Sequence, residues 1–270
     1  MKNIDKQGRI VRILTYNVHR WLGTDRKVSP ARIADVIASC EPDIVALQEV
    51  RAGRIHAGAS DQAVMVASKL GMDLHFQPTI RMLGEQYGIA ILSRHPSNIV
   101  KSGRLPTLST RPAFEKRCAL WVSVDVDGHR VQVVNAHLSL RSGERRTQAA
   151  ALLGPDWIGH PDCADPAVLL GDFNAPPYSR SYRLLSDQMR DAQVSNPAGE
   201  PQSTFHTRAP VLRLDHVFVT KSVEVVAAAP VRNTLTRVAS DHFPLLAELR
   251  VHNTTGLAAS EVLTLEEELL

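Results

Sequence analysis

Short apolar runs alternate with segments of helical spacing along most of the chain. Apolar runs bounded by turn-forming residues predict strands at residues 10–15, 44–47, 89–92, 120–126, 131–135, 167–170, 214–219, 223–226 and 245–251. Ser29-Pro30 reads as an N-cap followed by proline at the first helical position, and helical spacing continues to residue 40. Similar spacing predicts helices over residues 61–70 and 142–153.

The order of these elements predicts an α/β fold class. Strands and helices interleave, but Asp127-Gly128 between two predicted strands is a strong hairpin signal, so the sheets should be mixed. Two packed mixed β-sheets flanked by helices would fit residues 1–252 as one domain. Residues 253–270 turn polar and then acidic, and we expect them to form a peripheral C-terminal tail.

Composition and charge exclude several classes of protein. The 44% of apolar residues excludes a disordered chain, and 31 basic against 28 acidic residues exclude a protein that coats polyanions. Three cysteines stand far apart, which argues against a disulfide framework and fits a reducing compartment. The chain shows neither a membrane-spanning run nor a signal-like start. We therefore expect a cytoplasmic monomer, although an export signal removed earlier remains an alternative.

Polar residues follow one predicted strand after another. A buried strand has no reason of its own to end in a carboxylate or an imidazole. If these strand ends meet at one edge, they form a polar pocket held by rigid elements. Each residue alone is more often a turn former or a satisfied polar group, so the inference depends on the whole set. Its members are Asn17, Glu49, His137, Asp172, Asn174, Asp215, Asp241 and His242.

Seven short motifs carry a family resemblance. In chain order they are LTYNV (14–18), ALQEV (46–50), YGIAILSR (87–94), NAHL (135–138), LGDFN (170–174), LDHV (214–217) and SDHFP (240–244). Together they resemble the endonuclease/exonuclease/phosphatase superfamily, whose deoxyribonuclease I-like fold is a four-layer α/β sandwich. The resemblance implies a metal-dependent hydrolase of phosphate esters, with Mg²⁺ as the expected ion and Mn²⁺ as the alternative.

The resemblance also implies a set of metal ligands. Glu49 is the first choice, with the amide oxygen of Asn17 beside it, and Asp241 lies in the same shell or at a second metal position. A hard cation would neutralise the phosphate charge that repels an incoming hydroxide. The alternative for Glu49 is an ion pair with a neighbouring arginine.

Catalytic roles follow from the same resemblance. Asp172 would orient or deprotonate the attacking water, or bind metal. Asn174, two residues further on along an extended segment, would donate its amide to a phosphate oxygen. His242 is the first candidate for a catalytic imidazole, with Asp215 as the carboxylate that fixes its tautomer. His137 would contact the phosphate or protonate the leaving oxygen.

Three departures argue against the apurinic endonuclease branch of the family. That branch has a tyrosine at the position of His137, an acidic residue at that of His19 and a tryptophan at that of Leu212. Phe205 does match an aromatic residue of its pocket, or is ordinary core. His137 therefore indicates the deoxyribonuclease I-like, sphingomyelinase-like or phosphatase branches.

The substrate stays open at this level. Arg141, Arg145 and Arg146 follow His137 and would hold a nucleic acid backbone or a phospholipid headgroup, or simply form a solvated helix start. A second basic group, Arg111, Lys116 and Arg117, is equally ambiguous. The leading hypothesis is nuclease-like phosphodiester cleavage. The second is hydrolysis of phospholipid, sphingomyelin or inositol phosphates at the same site, and the third is a non-catalytic binding protein on this scaffold.

Overall fold

A computed structural model describes residues 8–53, 61–82, 85–108, 116–163 and 165–252. Its strands are β1 (Arg9–Asn17), β2 (Ile44–Ala52), β3 (Asp73–Met82), β4 (Glu85–Ser93), β5 (Ser97–Arg104), β6 (Cys118–Val126), β7 (His129–His137), β8 (Ala167–Asp172), β9 (Arg190–Asp191), β10 (Asp215–Val219), β11 (Glu224–Pro230) and β12 (Leu245–Val251). Its α-helices are α1 (Pro30–Cys40), α2 (Gln62–Leu70), α3 (Ser142–Leu153), α4 (Arg180–Ser186) and α5 (Thr234–Ala239). The predicted tail over residues 253–270 lies outside the described residues.

The strands form two six-stranded sheets with the same internal pattern. One sheet has the order β11-β12-β1-β2-β4-β3, and the other has the order β5-β6-β7-β8-β10-β9. Each has a parallel pair at its centre, β1 with β2 and β7 with β8, and antiparallel strands on both sides. The prediction of mixed sheets is therefore confirmed.

Apolar side chains divide into layers that match this pattern. One core cluster lies between the sheets and draws on both, as Ile13, Ile91, Val133 and Leu170 show. A second cluster joins the outer face of the first sheet to α1 and α2, and a third joins the second sheet to α3 and α4. The architecture is the four-layer α/β sandwich that the sequence predicts.

Local signals in the sequence set several element ends. Ser29 caps α1, because its side chain accepts a hydrogen bond from the Arg32 amide at 3.2 Å and Pro30 occupies the first turn. Gly71 ends α2 in the left-handed conformation, with φ 63°. The predicted hairpin between β6 and β7 is confirmed, with positive φ at both Asp127 and Gly128.

The prediction missed elements that lack a buried face or are short. The edge strand β5 exposes most of its side chains, and the edge strand β3 contains Pro78, so neither shows clear alternation. The helices α4 and α5 span seven and six residues, and β9 spans two. Several predicted strands, including β2 and β4, are longer than their apolar runs.

The topology brings the polar strand ends to one edge. The carboxyl ends of β1 and β2 lie in one sheet, and those of β7 and β8 lie in the other. Strands β10 and β12 run antiparallel to β8 and β1, so they begin at this same edge. No helix among the described residues is long and apolar enough to cross a membrane.

Candidate active site

His137 and Asp172 lie side by side where β7 and β8 end. They are paired in the parallel register of these strands. The close approach depends on Gly171, since a Cβ at this position would lie 1.9 Å from the carbonyl oxygen of Ala136. Its φ of 144° is also one that other residues rarely adopt. The glycine therefore lets the two strands bring an imidazole and a carboxylate together.

Glu49 reaches the same edge through an irregularity in β2. The pairing of β2 with β4 shifts register between Leu47 and Val50, and Glu49 has a φ of 56°. The neighbouring Gln48 points between the sheets, where its Nε2 donates to Asn135 Oδ1 at 2.8 Å. Regular alternation would turn Glu49 towards the helix layer. The bulge turns it instead towards the candidate site, at a cost on the order of 1–3 kcal/mol in backbone strain.

Asn17 links the two sheets at this edge. Its side-chain nitrogen donates to Asp172 Oδ2 at 2.9 Å and to Glu49 Oε1 at 3.2 Å. Its side-chain oxygen accepts from the backbone N–H of His19 at 3.0 Å. A flipped amide would set the oxygen against two carboxylates, so the network fixes its orientation. The assignment of the Asn17 oxygen as a metal ligand stays a prediction.

Asp172 lies between two imidazoles. Its Oδ2 is 3.5 Å from His137 Nε2 and 3.7 Å from His242 Nε2. On the far side of His242, Nδ1 lies 2.8 Å from Asp215 Oδ2. The ring of Phe205 packs on His242 with a centroid distance of 4.8 Å. Asp215 therefore orients His242 with its Nε2 towards Asp172, and the catalytic role of this pair stays a prediction.

Burial and neighbouring charges together raise the pKa values of both Asp172 and His242. Burial raises the pKa of Asp172 to about 6, because the lowering effect of His242 does not offset desolvation and the nearby Asp215. Burial alone would lower the pKa of His242. The carboxylates of Asp215 and Asp172 outweigh it and raise that pKa to about 10. The site therefore combines a weakly acidic carboxyl with a persistent imidazolium.

His137 has the opposite protonation preference. Its pKa is held well below 6.5 by burial, by the charge of Arg117 and by that of His242. Arg117 Nη1 lies 2.9 Å from His137 Nδ1 and 3.0 Å from Nε2, so the guanidinium rests against the ring. Sequence reasoning left Arg117 ambiguous, because only the packing of β6 beside β7 shows that this arginine reaches the site.

Asn174 departs from the extended segment that we expected. Its φ is 48°, in the left-handed region, and its backbone N–H donates to Asp172 Oδ1 at 2.9 Å. Its side-chain nitrogen donates to the carbonyl oxygen of Leu138 at 3.0 Å and lies 3.2 Å from His137 Nε2. The turn thus aims the amide at His137 and braces the end of β7 against the end of β8.

Two carboxylates at this edge keep contact with solvent. The side chains of Glu49 and Asp241 are 19% and 22% exposed, whereas those of Asp172 and Asp215 are buried. Asp241 Oδ1 lies 3.3 Å from Ser240 Oγ, which itself donates to the carbonyl oxygen of Asn17 at 2.8 Å. Oxygen donors of this kind suit a hard divalent cation such as Mg²⁺ or Mn²⁺.

A buried donor set lies beside these two carboxylates. Atoms of Asp172, Asp215 and His242 lie within 4.8 Å of one another, a spacing that could hold a metal ion. In addition, Asp215 Oδ1 is buried without a hydrogen-bond partner among the described residues. The edge therefore has both accessible and buried groups that fit a cation.

Comparison with known proteins decides the family. A family model described as the endonuclease/exonuclease/phosphatase family matches residues 14–242, which cover the first six motifs in full and the start of the seventh. The chain belongs to this family. Escherichia coli K12 has a similar protein of uncharacterised function, YbhP, which is 27% identical over 89% of this chain and 96% of its own length.

Solved structures of other family members agree. The endonuclease/exonuclease/phosphatase protein of Beutenbergia cavernae is 27% identical and superimposes with a TM-score of 0.73, over 90% of this chain and 72% of that one. A family protein from Bacteroides vulgatus has a TM-score of 0.71 at 23% identity, over 90% of this chain and 100% of that one. As a member of this family, the protein is a hydrolase that acts on phosphate ester bonds. The family is generally metal-dependent, and the acidic and histidine groups of this edge offer a metal site.

Some residues that the sequence singled out lie elsewhere or serve the fold. Arg145 Nη1 donates to the carbonyl oxygens of Ser139 and Leu140, which ties down the loop after His137. Arg111 lies outside the described residues.

Proposed function

We propose that this family member is a Mg²⁺-dependent phosphodiesterase of the nuclease type. The observation that carries the proposal is the position of Asp172, a buried carboxyl with a pKa of about 6 that lies between two imidazoles and shares the side-chain nitrogen of Asn17 with the solvent-accessible Glu49. A group with such a pKa can accept a proton from water near neutral pH and release it again.

Asp172 would act as the base that orients and deprotonates the attacking water. Its Oδ1 is fixed by the N–H of Asn174 and its Oδ2 by the side chain of Asn17. These bonds hold the carboxylate in one orientation before the substrate arrives. Preorganisation of this kind lowers the barrier, because the group need not reorient during the reaction.

His242 would stabilise the negative charge that grows on the phosphoryl oxygens. Asp215 holds the ring through Nδ1, so the N–H at Nε2 faces the centre of the site. With a pKa of about 10, the ring stays an imidazolium at neutral pH. It therefore acts as a fixed cation and hydrogen-bond donor in this mechanism, and does not act as the base.

His137 would contact the phosphate and leave proton donation to other groups. Its lowered pKa keeps the ring neutral at neutral pH, so it has no spare proton for the leaving oxygen. Asn174 and Arg117 both approach it with side-chain nitrogens. Of the two roles that the sequence left open for His137, this environment favours the first.

Glu49 and Asp241 would hold the divalent cation. When bound, Mg²⁺ would neutralise charge on the phosphate and favour attack by water. The side-chain nitrogen of Asn17 positions Glu49 and Asp172 as a hydrogen-bond donor, and its side-chain oxygen, which accepts one bond from His19, keeps a second lone pair for the cation. Mn²⁺ is the second ion that this donor set would accept.

The second candidate function is hydrolysis of a phosphate ester with an apolar alcohol, such as a phospholipid or sphingomyelin. Two exposed apolar side chains favour it. Leu140 is 73% exposed and lies three residues after His137, and Tyr178 is 72% exposed and lies four residues after Asn174. Both follow site residues closely enough to stand at the rim.

Family members with other substrates share the fold. A Bacteroides thetaiotaomicron protein described as a mannosyl-6-phosphatase has a TM-score of 0.67 at 21% identity. ANGEL2, described as a 2′,3′-cyclic phosphatase, has a TM-score of 0.67 at 15% identity. These likenesses concern the fold alone, so the substrate must be determined directly. We retain a cytoplasmic location as part of the proposal, supported by three buried free cysteines.

A substrate panel tests the proposal. Plasmid DNA, RNA, sphingomyelin, phospholipids and small phosphate esters are incubated with the protein and Mg²⁺, with EDTA as the control. Nicking of plasmid without lipid turnover would support the nuclease, and the reverse would support the second candidate. Asp172→Ala and His242→Ala should abolish the turnover. If these two variants turn substrate over as the wild type does, the proposed mechanism is wrong. If the wild type turns over none of the substrates, a non-catalytic binding protein is favoured.

A further inference from the structure

A turn of three residues with unusual backbone geometry follows Asn17. His19, Arg20 and Trp21 have φ values of 44°, 54° and 68°, in the left-handed region that residues other than glycine rarely adopt. Two backbone hydrogen bonds close the turn, from Trp21 N to Val18 O at 2.7 Å and from Leu22 N to His19 O at 2.9 Å. Backbone strain of this kind concentrates at functional sites, and this turn directly adjoins one.

The three side chains of this turn have different surroundings. Trp21 packs in the core, His19 faces the candidate site and Arg20 faces solvent. The indole of Trp21 is fully buried and bonded to the carbonyl oxygen of Arg51, which anchors the turn in the core. His19 Nδ1 lies 3.6 Å from Asp241 Oδ1, so this ring faces the candidate site. The side chain of Arg20 is 63% exposed. The strained turn therefore presents an arginine at the mouth of the site.

The guanidinium of Arg20 is held in place while its donors stay open. Its carbon lies 5.5 Å from the ring centroid of Tyr87, so the group lies over the aromatic face. Its Nε is 3.9 Å from Glu49 Oε2, which is beyond hydrogen-bond distance. Among the residues that the structure describes, none accepts a hydrogen bond from this side chain. A planar guanidinium stacked on a ring can still donate from its edge to an anion.

We infer that Arg20 is a substrate anchor that donates hydrogen bonds to a phosphate oxygen held beside Glu49. This inference rests on the proposed function and adds a binding residue to it. The guanidinium edge matches two phosphate oxygens at once, and a phosphate is the anion that a phosphoesterase must bind. The cation–π contact with Tyr87 and the turn anchored by Trp21 place the guanidinium beside Glu49.

An exposed ion pair with Glu49 is the simpler explanation for the same contact. It does not account for the geometry, because exposed pairs contribute little stability and would not repay a backbone with three left-handed residues. It also predicts a different response to mutation. If Arg20 only neutralised Glu49, then its removal would strengthen cation binding and leave phosphate binding unchanged.

Calorimetric titration of inorganic phosphate into the protein at saturating Mg²⁺ tests the inference. Arg20→Gln should weaken phosphate binding about 10-fold, as expected for loss of a charge-assisted hydrogen bond, and Arg20→Lys should weaken it less. Arg130→Gln is the matched control, because Arg130 is exposed and lies at the opposite end of β7 from His137. It should bind phosphate as the wild type does.

Three results would overturn the inference. They are wild-type affinity for phosphate in Arg20→Gln, no phosphate binding by the wild type, and an equal loss in Arg130→Gln. Titration of Mg²⁺ alone adds a further check, since tighter cation binding in Arg20→Gln with unchanged phosphate affinity would assign the arginine to Glu49 only. None of these measurements requires turnover. The inference about Arg20 can therefore hold even if the proposed phosphodiesterase activity is absent, and the activity can be present even if Arg20 does not bind phosphate.

Kinetics then identify which phosphate Arg20 holds. On bis(p-nitrophenyl) phosphate, a diester with a single phosphate, a raised KM with unchanged kcat in Arg20→Gln places the anchor on the group being cleaved. If KM rises only for a thymidine dinucleotide with an added 5′-phosphate, the anchor holds the neighbouring phosphate. Either result supports the inference, and an unchanged KM on both substrates contradicts it.

Discussion

Two buried Asp-His pairs lie next to each other in this protein, and they differ in how completely their atoms are bonded. Asp215 pairs with His242 in the candidate site, and Asp191 pairs with His216 behind it, with ring-to-carboxylate distances of 2.8 Å and 3.2 Å. Asp215 and His216 are consecutive residues of β10, so their side chains point to opposite faces of the strand. The difference between the pairs therefore comes from their surroundings.

The pair of Asp191 is closed, in the sense that both carboxylate oxygens and both ring nitrogens of His216 have partners, although Arg213 Nη1 beside it makes no hydrogen bond among the described residues. One carboxylate oxygen faces Arg213 Nη1 at 3.0 Å and accepts from the hydroxyl of Tyr182 at 3.0 Å, and the other accepts from the N–H of Gln193 at 2.8 Å. His216 Nε2 faces the carbonyl oxygen of Ala175 at 2.8 Å. Burial acts to raise the pKa of Asp191, but the bonds and charges of His216, Arg213 and Tyr182 outweigh it, so the pKa is lowered.

The pair in the candidate site is open. His242 Nε2 faces Asp172 at 3.7 Å, beyond hydrogen-bond distance, and Asp215 Oδ1 has no partner among the described residues. The pKa of Asp172 is raised, whereas that of Asp191 is lowered. Unsatisfied polar atoms in a buried cluster cost stability, and they are retained where a ligand completes the network. The carboxylate oxygens thus separate the two pairs: both oxygens of Asp191 accept hydrogen bonds, whereas Oδ1 of Asp215 accepts none from the described residues.

The largest expected effect is the loss of activity in Asp172→Asn. The amide keeps the size of the side chain but cannot take a proton from water, so kcat should fall about 10³-fold, equivalent to about 4 kcal/mol. The variant should unfold at the wild-type temperature or above, since it removes a buried charge. Steady-state kinetics and thermal denaturation measure the two quantities. A variant that keeps a tenth of the wild-type kcat would exclude Asp172 as the base.

Asp191→Asn should show the reverse: a large loss of stability. The change leaves Arg213 and His216 facing a neutral amide, and breaking a buried ion pair costs about 3–5 kcal/mol. Denaturant unfolding measures the loss. Asp187→Asn is the matched control, because Asp187 is exposed at the end of α4, and it should unfold as the wild type does. A loss below about 1 kcal/mol in Asp191→Asn would mean that the closed pair does not stabilise the fold.

Sequence alone could predict the fold because the central elements have strong local signals. Strand β12 was predicted over the same residues that the structure shows, and Ser29-Pro30 marked the start of α1. Edge strands escaped prediction, because a strand such as β5 has no face that must be apolar. The core strands therefore carried enough information for the architecture, and the periphery did not.

The candidate site could be predicted only as a set of strand ends. Their meeting at one edge follows from the parallel pairs, but side-chain direction does not. The orientation of the Asn17 amide depends on the backbone of His19, and the left-handed turn at Asn174 depends on contacts with Leu138. The preference for His242 over His216 came from the family motifs and not from local pattern, since the hydrogen bonding of a ring depends on residues distant in the chain, such as Asp191.

The pH dependence of stability sharpens the comparison further. The pKa of Asp172 is about 6 in the folded protein against 3.8 in the unfolded chain, so the folded state loses stability as pH rises through this interval. In EDTA-treated protein, Asp172→Asn should match the wild type below pH 4. As the pH rises, the variant should become more stable than the wild type, by about 2–3 kcal/mol above pH 6.

The pKa of Asp191 is lowered, so its contribution to the free energy of unfolding changes with pH in the opposite direction. Its contribution is present above the unfolded value of 3.8 and is lost only as pH falls through the lower folded value. The stability deficit of Asp191→Asn should therefore stay constant from pH 5 to pH 8. Thermal unfolding at a series of pH values measures the stability gap between each variant and the wild type. A gap for Asp172→Asn that is the same at every pH would show that its carboxyl is not destabilised by burial.

The smallest expected effect concerns the loop that joins the two regions. Ala175 accepts the bond from His216, and its neighbour Asn174 contacts His137, so this loop connects the closed network to the open one. In Asn174→Gly, glycine adopts the φ of 48° without strain, but the side-chain amide is lost. The variant should lower kcat about 10-fold, equivalent to about 1.4 kcal/mol, with little change in unfolding temperature.

Asn174→Ala separates the amide from the backbone. It removes the same contacts but must also adopt the left-handed conformation, so it should lose a further 1 kcal/mol or so of stability relative to Asn174→Gly. Kinetics and thermal unfolding of the two variants resolve the contributions. Equal stability of the two would show that the loop relaxes away from its strained turn when the amide is absent. In that case the contacts of the Asn174 side chain, rather than the closed network behind it, maintain the turn.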